Sequence, residues 1–261
     1  MTGSSLGRIL AVARHDLRIL RRDPVFVLIF TIMPLGFMAF TTGAFGAAMS
    51  IRYPDRAVNG AAQVVPGAAV LFSGFLVGNL GFAVFREHAW STWERLRASH
   101  LETWELMLGK SIAPILSLAL QLTVMLGLGG VLFDLHIRGS VAAFLVVAAM
   151  LAVMEVALGF MLLAVCRSVL QLNAATNLGA MMLGGIGGAV TPFYLLPTWA
   201  QRIAPATPTY WAMRGFRSVV IGGGGLSSVA LPVAILAAFS AGFAIIAALR
   251  FGVEESKLSW A

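Results

Sequence analysis

The chain has 261 residues, of which 59% are hydrophobic and only 11% charged, with a mean hydropathy of +0.89. A soluble domain carries about 25% charged residues, so this composition excludes a water-soluble globular protein and points to an integral membrane one. The net charge of +7 and pI near 10.7 read as attraction to anionic lipid headgroups rather than to nucleic acid, and the lone Cys166 excludes an intrachain disulfide.

The first predicted element is a basic amphipathic helix over residues 6 to 22. At 100° per residue, Leu6, Ile9, Leu10, Ala13, Leu17 and Leu20 share one direction, while Arg8, Arg14, Arg18, Arg21 and Arg22 share the other side. Such a helix lies flat on the inner leaflet; the plainer alternative is a positive anchor that only fixes topology. Asp23-Pro24 ends it. The uncharged run that follows is too long for the apolar part of a cleaved signal peptide and reads as a retained first span.

Charge-free runs recur between Arg56 and Arg86, Lys110 and Asp134, Arg167 and Arg202, and Arg217 and Arg250, and between Arg138 and Arg167 only Glu155 interrupts. Each run holds the ~20 residues that cross a ~30 Å hydrocarbon core. The expected architecture is therefore all-α and integral to the membrane. It is one transmembrane domain over residues 1–261, with six helices at about 25–47, 64–85, 112–133, 141–165, 170–192 and 228–249. The runs are continuously apolar, unlike the alternating strands of a membrane β-barrel. With the N-terminus inside, the cytoplasmic segments hold Arg8, Arg14, Arg18, Arg21, Arg22, Arg86, Arg95, Arg97, Lys110, Arg167, Arg250 and Lys257. The outer segments hold only Arg52, Arg56, Arg138, Arg202, Arg214 and Arg217, so the positive-inside rule places both termini in the cytoplasm.

The cytoplasmic loop at 86–110 is too short for an independent domain. It ends in Gly109-Lys110-Ser111, the closing letters of a phosphate-binding loop. The second glycine such a loop needs five residues earlier is Trp104, and Lys110 leads into a span instead of following a buried strand. The chain therefore has no nucleotide site of its own. Within the loop Trp90, Trp93 and Leu96 recur at spacing three, an apolar ridge on a short helix at about 88–97 flanked by Glu94, Arg95 and Arg97. The two tryptophans serve equally as headgroup anchors.

In the fourth span Glu155 stands alone, where an ionised carboxylate facing lipid would cost on the order of 3 kcal/mol or more. It must face protein or water. Either it meets a cationic group or changes protonation during transport, or it is a neutral structural carboxyl bonded to Gln121 or Asn79. Gly159 lies one turn away on the same face. Small residues crowd the second span (Gly74, Gly78, Gly81) and the fifth (Gly179, Gly184, Gly185, Gly187, Gly188), at spacings that admit a neighbouring helix. Pro192, Pro197, Pro205 and Pro208 stand among aromatic residues, which predicts short broken helices over 193–217 at the outer leaflet. A membrane-embedded hydrolase would need clustered His and acidic residues, whereas His15, His88, His100 and His136 are scattered.

The loop "FREHAWSTWERLRASHLETWELMLGK" resembles the signature of the ABC-2 type transporter permeases, membrane subunits of exporters that include the daunorubicin-resistance type. The matching positions are Arg86, Glu87, Thr92, Glu94, Leu96, Ser99, Trp104, Glu105, Leu108, Gly109 and Lys110. A second mark matches in Pro192, Pro197, Trp199, Ile203, Ala204, Pro208, Thr209, Tyr210 and Arg214. Ser91 and His100 depart from the glycine and proline usual in the family. The resemblance covers essentially the whole chain and implies an ABC-2 exporter fold. It implies a loop that couples to a separate ATP-binding subunit through Glu87, Trp90, Trp93, Glu94, Leu96, Trp104, Glu105, Gly109 and Lys110. Spans two and five would line the substrate path between two permease subunits, making Asn79, Phe82, Asn177, Met181 and Met182 its candidates beside Glu155.

The implied function is that of a non-enzymatic permease subunit of an ATP-driven exporter, moving a hydrophobic drug or lipid-like substrate across the plasma membrane of a bacterium. No metal or cofactor is expected in this chain, with ATP and magnesium on the partner. The partners would be two ATP-binding subunits, a second permease copy or homologue, and membrane lipid. Alternatives are a permease for polysaccharide or glycolipid and, from a different class, a proton-coupled secondary transporter using Glu155.

Overall fold

The computed structural model describes residues 4–22, 24–54, 58–89 and 102–250. Among them every regular element is helical. The amphipathic helix expected first is α1 (Ser5–Arg22), and α2 follows over Val25–Arg52 with Pro24 at its start. Next come α3 (Ala61–Ala89) and α4 (Thr103–Thr123), which continues through a π-helical turn, Val124–Leu128, into Gly129–Leu132. Then follow α5 (Val141–Val165) and α6 (Val169–Ile186). The proline-rich segment forms α7 (Thr198–Ile203) and α8 (Pro208–Val220), each preceded by a turn of 3-10 helix, and α9 is Leu226–Arg250.

Among the described residues five stretches are long and apolar enough to cross a membrane: Leu28–Arg52, Ala61–Gly78, Trp104–Leu132, Val141–Val165 and Leu226–Arg250. The span expected at 170–192 is not among the five. That stretch forms α6, an 18-residue helix whose Gln171, Asn173, Thr176 and Asn177 dilute its apolar character. Gly187 and Gly188 stop it six residues early, Gly188 turning the chain at φ +83°, a left-handed conformation that glycine adopts without steric cost. The third expected span starts nine residues sooner than expected, because Glu102 and Glu105 close a capping box around the first turn of α4.

α3 is the axis of the bundle, packed against α2, α4, α5, α6 and α8. Its side chains are almost all buried from Ala61 to Phe72. Gly67 is needed for this: a Cβ there would sit 2.2 Å from the Ala189 carbonyl oxygen just beyond α6. On the other side α9 lies along α5, and α8 wedges between them, with the Phe216 and Phe144 rings 5.1 Å apart. Met38, Met125, Leu151 and Met213 fill the centre. The outer faces expose Ile32, Phe40, Leu178 and Leu249, the arrangement expected where the surrounding solvent is lipid.

Gln121 of α4 has a special place in the packing. Its amide donates to the Phe30 carbonyl of α2 at 2.7 Å and to the Phe72 carbonyl of α3 at 3.1 Å. One buried side chain thus ties three helices together.

Candidate functional site

The residues singled out in the sequence fall into two places, the base of α4 and the middle of the bundle. At the base, α1 lies against the first turns of α4. Val12, Ala13 and Asp16 form its buried side, at spacings that put them on one helical face, while Leu6 and Leu10 stay exposed. The Lys110 ammonium donates to Asp16 Oδ1 at 3.0 Å, with both side chains almost fully buried. The Glu105 carboxylate accepts Arg8 Nε at 2.8 Å and a second guanidinium N–H of Arg8 at 2.5 Å, and it also takes the Glu102 backbone N–H at 3.1 Å. The hydrogen bond from Arg8, reinforced by the carboxylate charge, holds the Arg8 pKa above its ordinary value.

Gly109 completes this contact. A Cβ on it would lie 2.6 Å from Val12 Cβ and 3.0 Å from the Ile9 carbonyl, so only glycine lets the two helices close on the Lys110 and Glu105 pairs. Glu105, Gly109 and Lys110 therefore face α1. Trp104 is half exposed, its indole N–H bonded to the Glu102 carboxylate. Trp90, Trp93, Glu94 and Leu96 lie outside the described residues, as does the Glu87 side chain.

In the middle of the bundle Glu155 is 2% exposed. Its Oε1 accepts the Ser73 hydroxyl of α3 at 3.1 Å. That hydroxyl, rather than Gln121, is the partner. No hydrogen bond reaches its Oε2 from the described residues. On one side Glu155 borders a void of about 10 Å³ with Leu76, Pro114 and Leu118, room for about one water molecule. On the other it borders a cavity of about 370 Å³ lined by α3, α5, α6, α8 and α9. Thr176 of α6 faces the same cavity with its hydroxyl also unbonded among the described residues. Most of the remaining wall is apolar, including Val70, Leu158, Phe239 and Phe243.

The expected path residues do not gather there. Asn177, Met181 and Met182 lie on the opposite, exposed face of α6, and Asn177 is bonded to Asn173 one turn earlier. The side chains of Asn79 and Phe82 lie outside the described part of α3. Ser73 was invisible as a partner in the sequence, since a hydroxyl in an apolar helix usually bonds its own backbone. Asp16 did leave a signal: it is an acid four residues after Val12 in an otherwise basic helix. No cluster of three metal-ligating side chains occurs among the described residues.

The family model described as ABC-2 type transporter matches residues 8–221, from α1 to the residue after α8. The chain belongs to that family. A stretch of 128 residues, 48% of the chain, is 26% identical to "Probable multidrug ABC transporter permease YbhR" of Escherichia coli (strain K12). The same protein from Escherichia coli O157:H7 is equally similar. The match spans 34% of the length of each of these relatives. This ABC-2 protein is accordingly a multi-pass membrane protein of a transporter permease family, whose members are not themselves catalytic.

Proposed function

We propose that the chain is the permease subunit of an ATP-driven exporter, supplying the membrane pathway for a hydrophobic drug or lipid-like molecule and drawing its driving force from a separate ATP-binding subunit. Family membership supports the reading, and the observation that carries it is the clamp at the base of α4. Family-marking residues there, Glu105, Gly109 and Lys110, are locked onto α1. Force applied to the segment between α3 and α4 would pass into a two-helix unit rather than be lost in a loose loop.

In this reading Trp90, Trp93 and Leu96 seat in a groove of the ATP-binding subunit, ATP and magnesium belong to that subunit, and two permease copies, identical or paired with a homologue, join two ATPases. Alternating access follows if ATP-driven closure favours one of two arrangements that differ in affinity for cargo. The excess of Lys and Arg in the segments that include both termini supports a cytoplasmic location for them.

The test is affinity purification of the full chain from its own cells. An ATPase with an intact phosphate-binding loop should co-purify, and Trp93→Asp with Leu96→Asp should lose it while the permease remains folded. Recovery of folded permease with no such ATPase, under conditions that preserve membrane complexes, overturns the proposal.

A further inference from the structure

The structure assigns a ligand site to the interior of a single protomer: we propose that the cavity bordered by Glu155 and Thr176 binds a lipophilic amine as its ammonium cation. This deepens the exporter reading by naming a cargo class, and it rests on that reading only for the step from binding to transport.

A structural carboxyl buried in a bundle is expected to have both oxygens bonded. Glu155 has one, Oε1 on Ser73; its Oε2 has no hydrogen-bonding partner among the described residues, on a side chain that lines the cavity. The Thr176 hydroxyl is left in the same way on the same cavity. Gly74 lets α3 and α6 close together beside Glu155; a Cβ there would press on Ala180 at 3.1 Å and approach Glu155 Oε1 at 3.9 Å.

The ligand that fits is defined by what the walls lack. Two unbonded oxygens ask for hydrogen-bond donors, and a carboxylate in apolar surroundings asks for a positive charge. An ammonium group supplies both, with one N–H for Glu155 and another for Thr176. The cavity, about 370 Å³, falls in the range of small-molecule sites. Its mostly apolar lining suits a hydrocarbon or aromatic body. Phe239 and Phe243, with ring centroids 6.0 Å apart, add ring faces that attract cations. A neutral amphiphile of the same shape would leave the carboxylate without a counter-charge.

The experiment uses the full chain in phosphatidylcholine nanodiscs, with a tritiated phenylalkylamine and its neutral alcohol isostere as probes and empty nanodiscs as the partition control. Saturable binding of the amine is expected, at least tenfold tighter than that of the alcohol. Glu155→Gln should weaken the amine at least tenfold and leave the alcohol unchanged. Gly179 lines the cavity, and a Cβ on it meets no atom within 4 Å, so Gly179→Phe should fill the space and abolish both. Three results overturn the proposal: no saturable amine binding, amine and alcohol binding alike, or amine binding that survives Gly179→Phe. Should Glu155→Gln not fold, the amine-to-alcohol ratio and the Gly179 variant still decide. Co-purification of an ATPase is independent of these measurements, so the binding site and the exporter reading fail separately.

Discussion

Lys110 is the residue whose role changes most between sequence and structure. As a letter in Gly-Lys-Ser it suggests phosphate; folded, it is 2% exposed and paired with Asp16. Removing one partner of a buried pair leaves an uncompensated charge and costs ~3–5 kcal/mol, whereas replacing both by apolar groups is often neutral. Lys110→Met should therefore lower the thermal unfolding midpoint sharply in detergent, and Asp16→Leu added to it should restore most of the loss. Equal melting of the single variant and the wild type would show that the pair does not hold α1 in place. The Lys110 contact was not legible because its partner lies 94 positions away, and no local pattern encodes a contact of that separation. Glu155 was legible as a residue that must face protein or water; Ser73 as its partner was not, for the same reason.

At the scale of elements, local chemistry set the boundaries that were read correctly. Helix α5 occupies the expected 141–165: Ser140 caps its start through the Ala143 N–H, and Cys166 leaves helical geometry at its end. Where boundaries moved, a specific residue moved them, as the Glu102–Glu105 box did for α4 and Gly187-Gly188 for α6. The π turn at Val124–Leu128 had no counterpart in the reading, since an inserted residue in a helical ladder leaves apolar periodicity almost unchanged over one turn.

The close approach of α6 to its neighbours yields a paired prediction. A Cβ on Gly187 would lie 2.1 Å from Thr209 Oγ1 and 2.7 Å from the Tyr210 nitrogen at the start of α8, whereas one on Gly179 meets nothing within 4 Å. Gly187→Val should abolish recovery of monodisperse protein, because rigid backbone blocks it. Gly179→Ala should be neutral or stabilising by up to ~1 kcal/mol from helix propensity. Size-exclusion chromatography and melting curves read both; indifference to Gly187→Val would mean that α6 and α8 do not pack as described.

For the whole molecule, apolar run length made the helical membrane architecture plain, together with most of its helices and the broken segment before α8. Run length could not say which helix is the axis, because α3 is no more apolar than its neighbours and differs from them in being enclosed. The proposed orientation is open to a labelling test in intact cells. In a Cys166→Ser background, an impermeant maleimide should react with Ser227→Cys, at the exposed start of α9, and should reach Ser4→Cys only after the membrane is opened. The reverse pattern inverts the orientation. Gln121 sets a constraint on how such a molecule deforms. Its amide grips carbonyls on two other helices, that of Phe30 being the one Pro34 leaves without a helical donor, so a twist of α2, α3 or α4 alone would strip a buried donor of its acceptors. The low-cost deformation is for the trio to tilt as one slab.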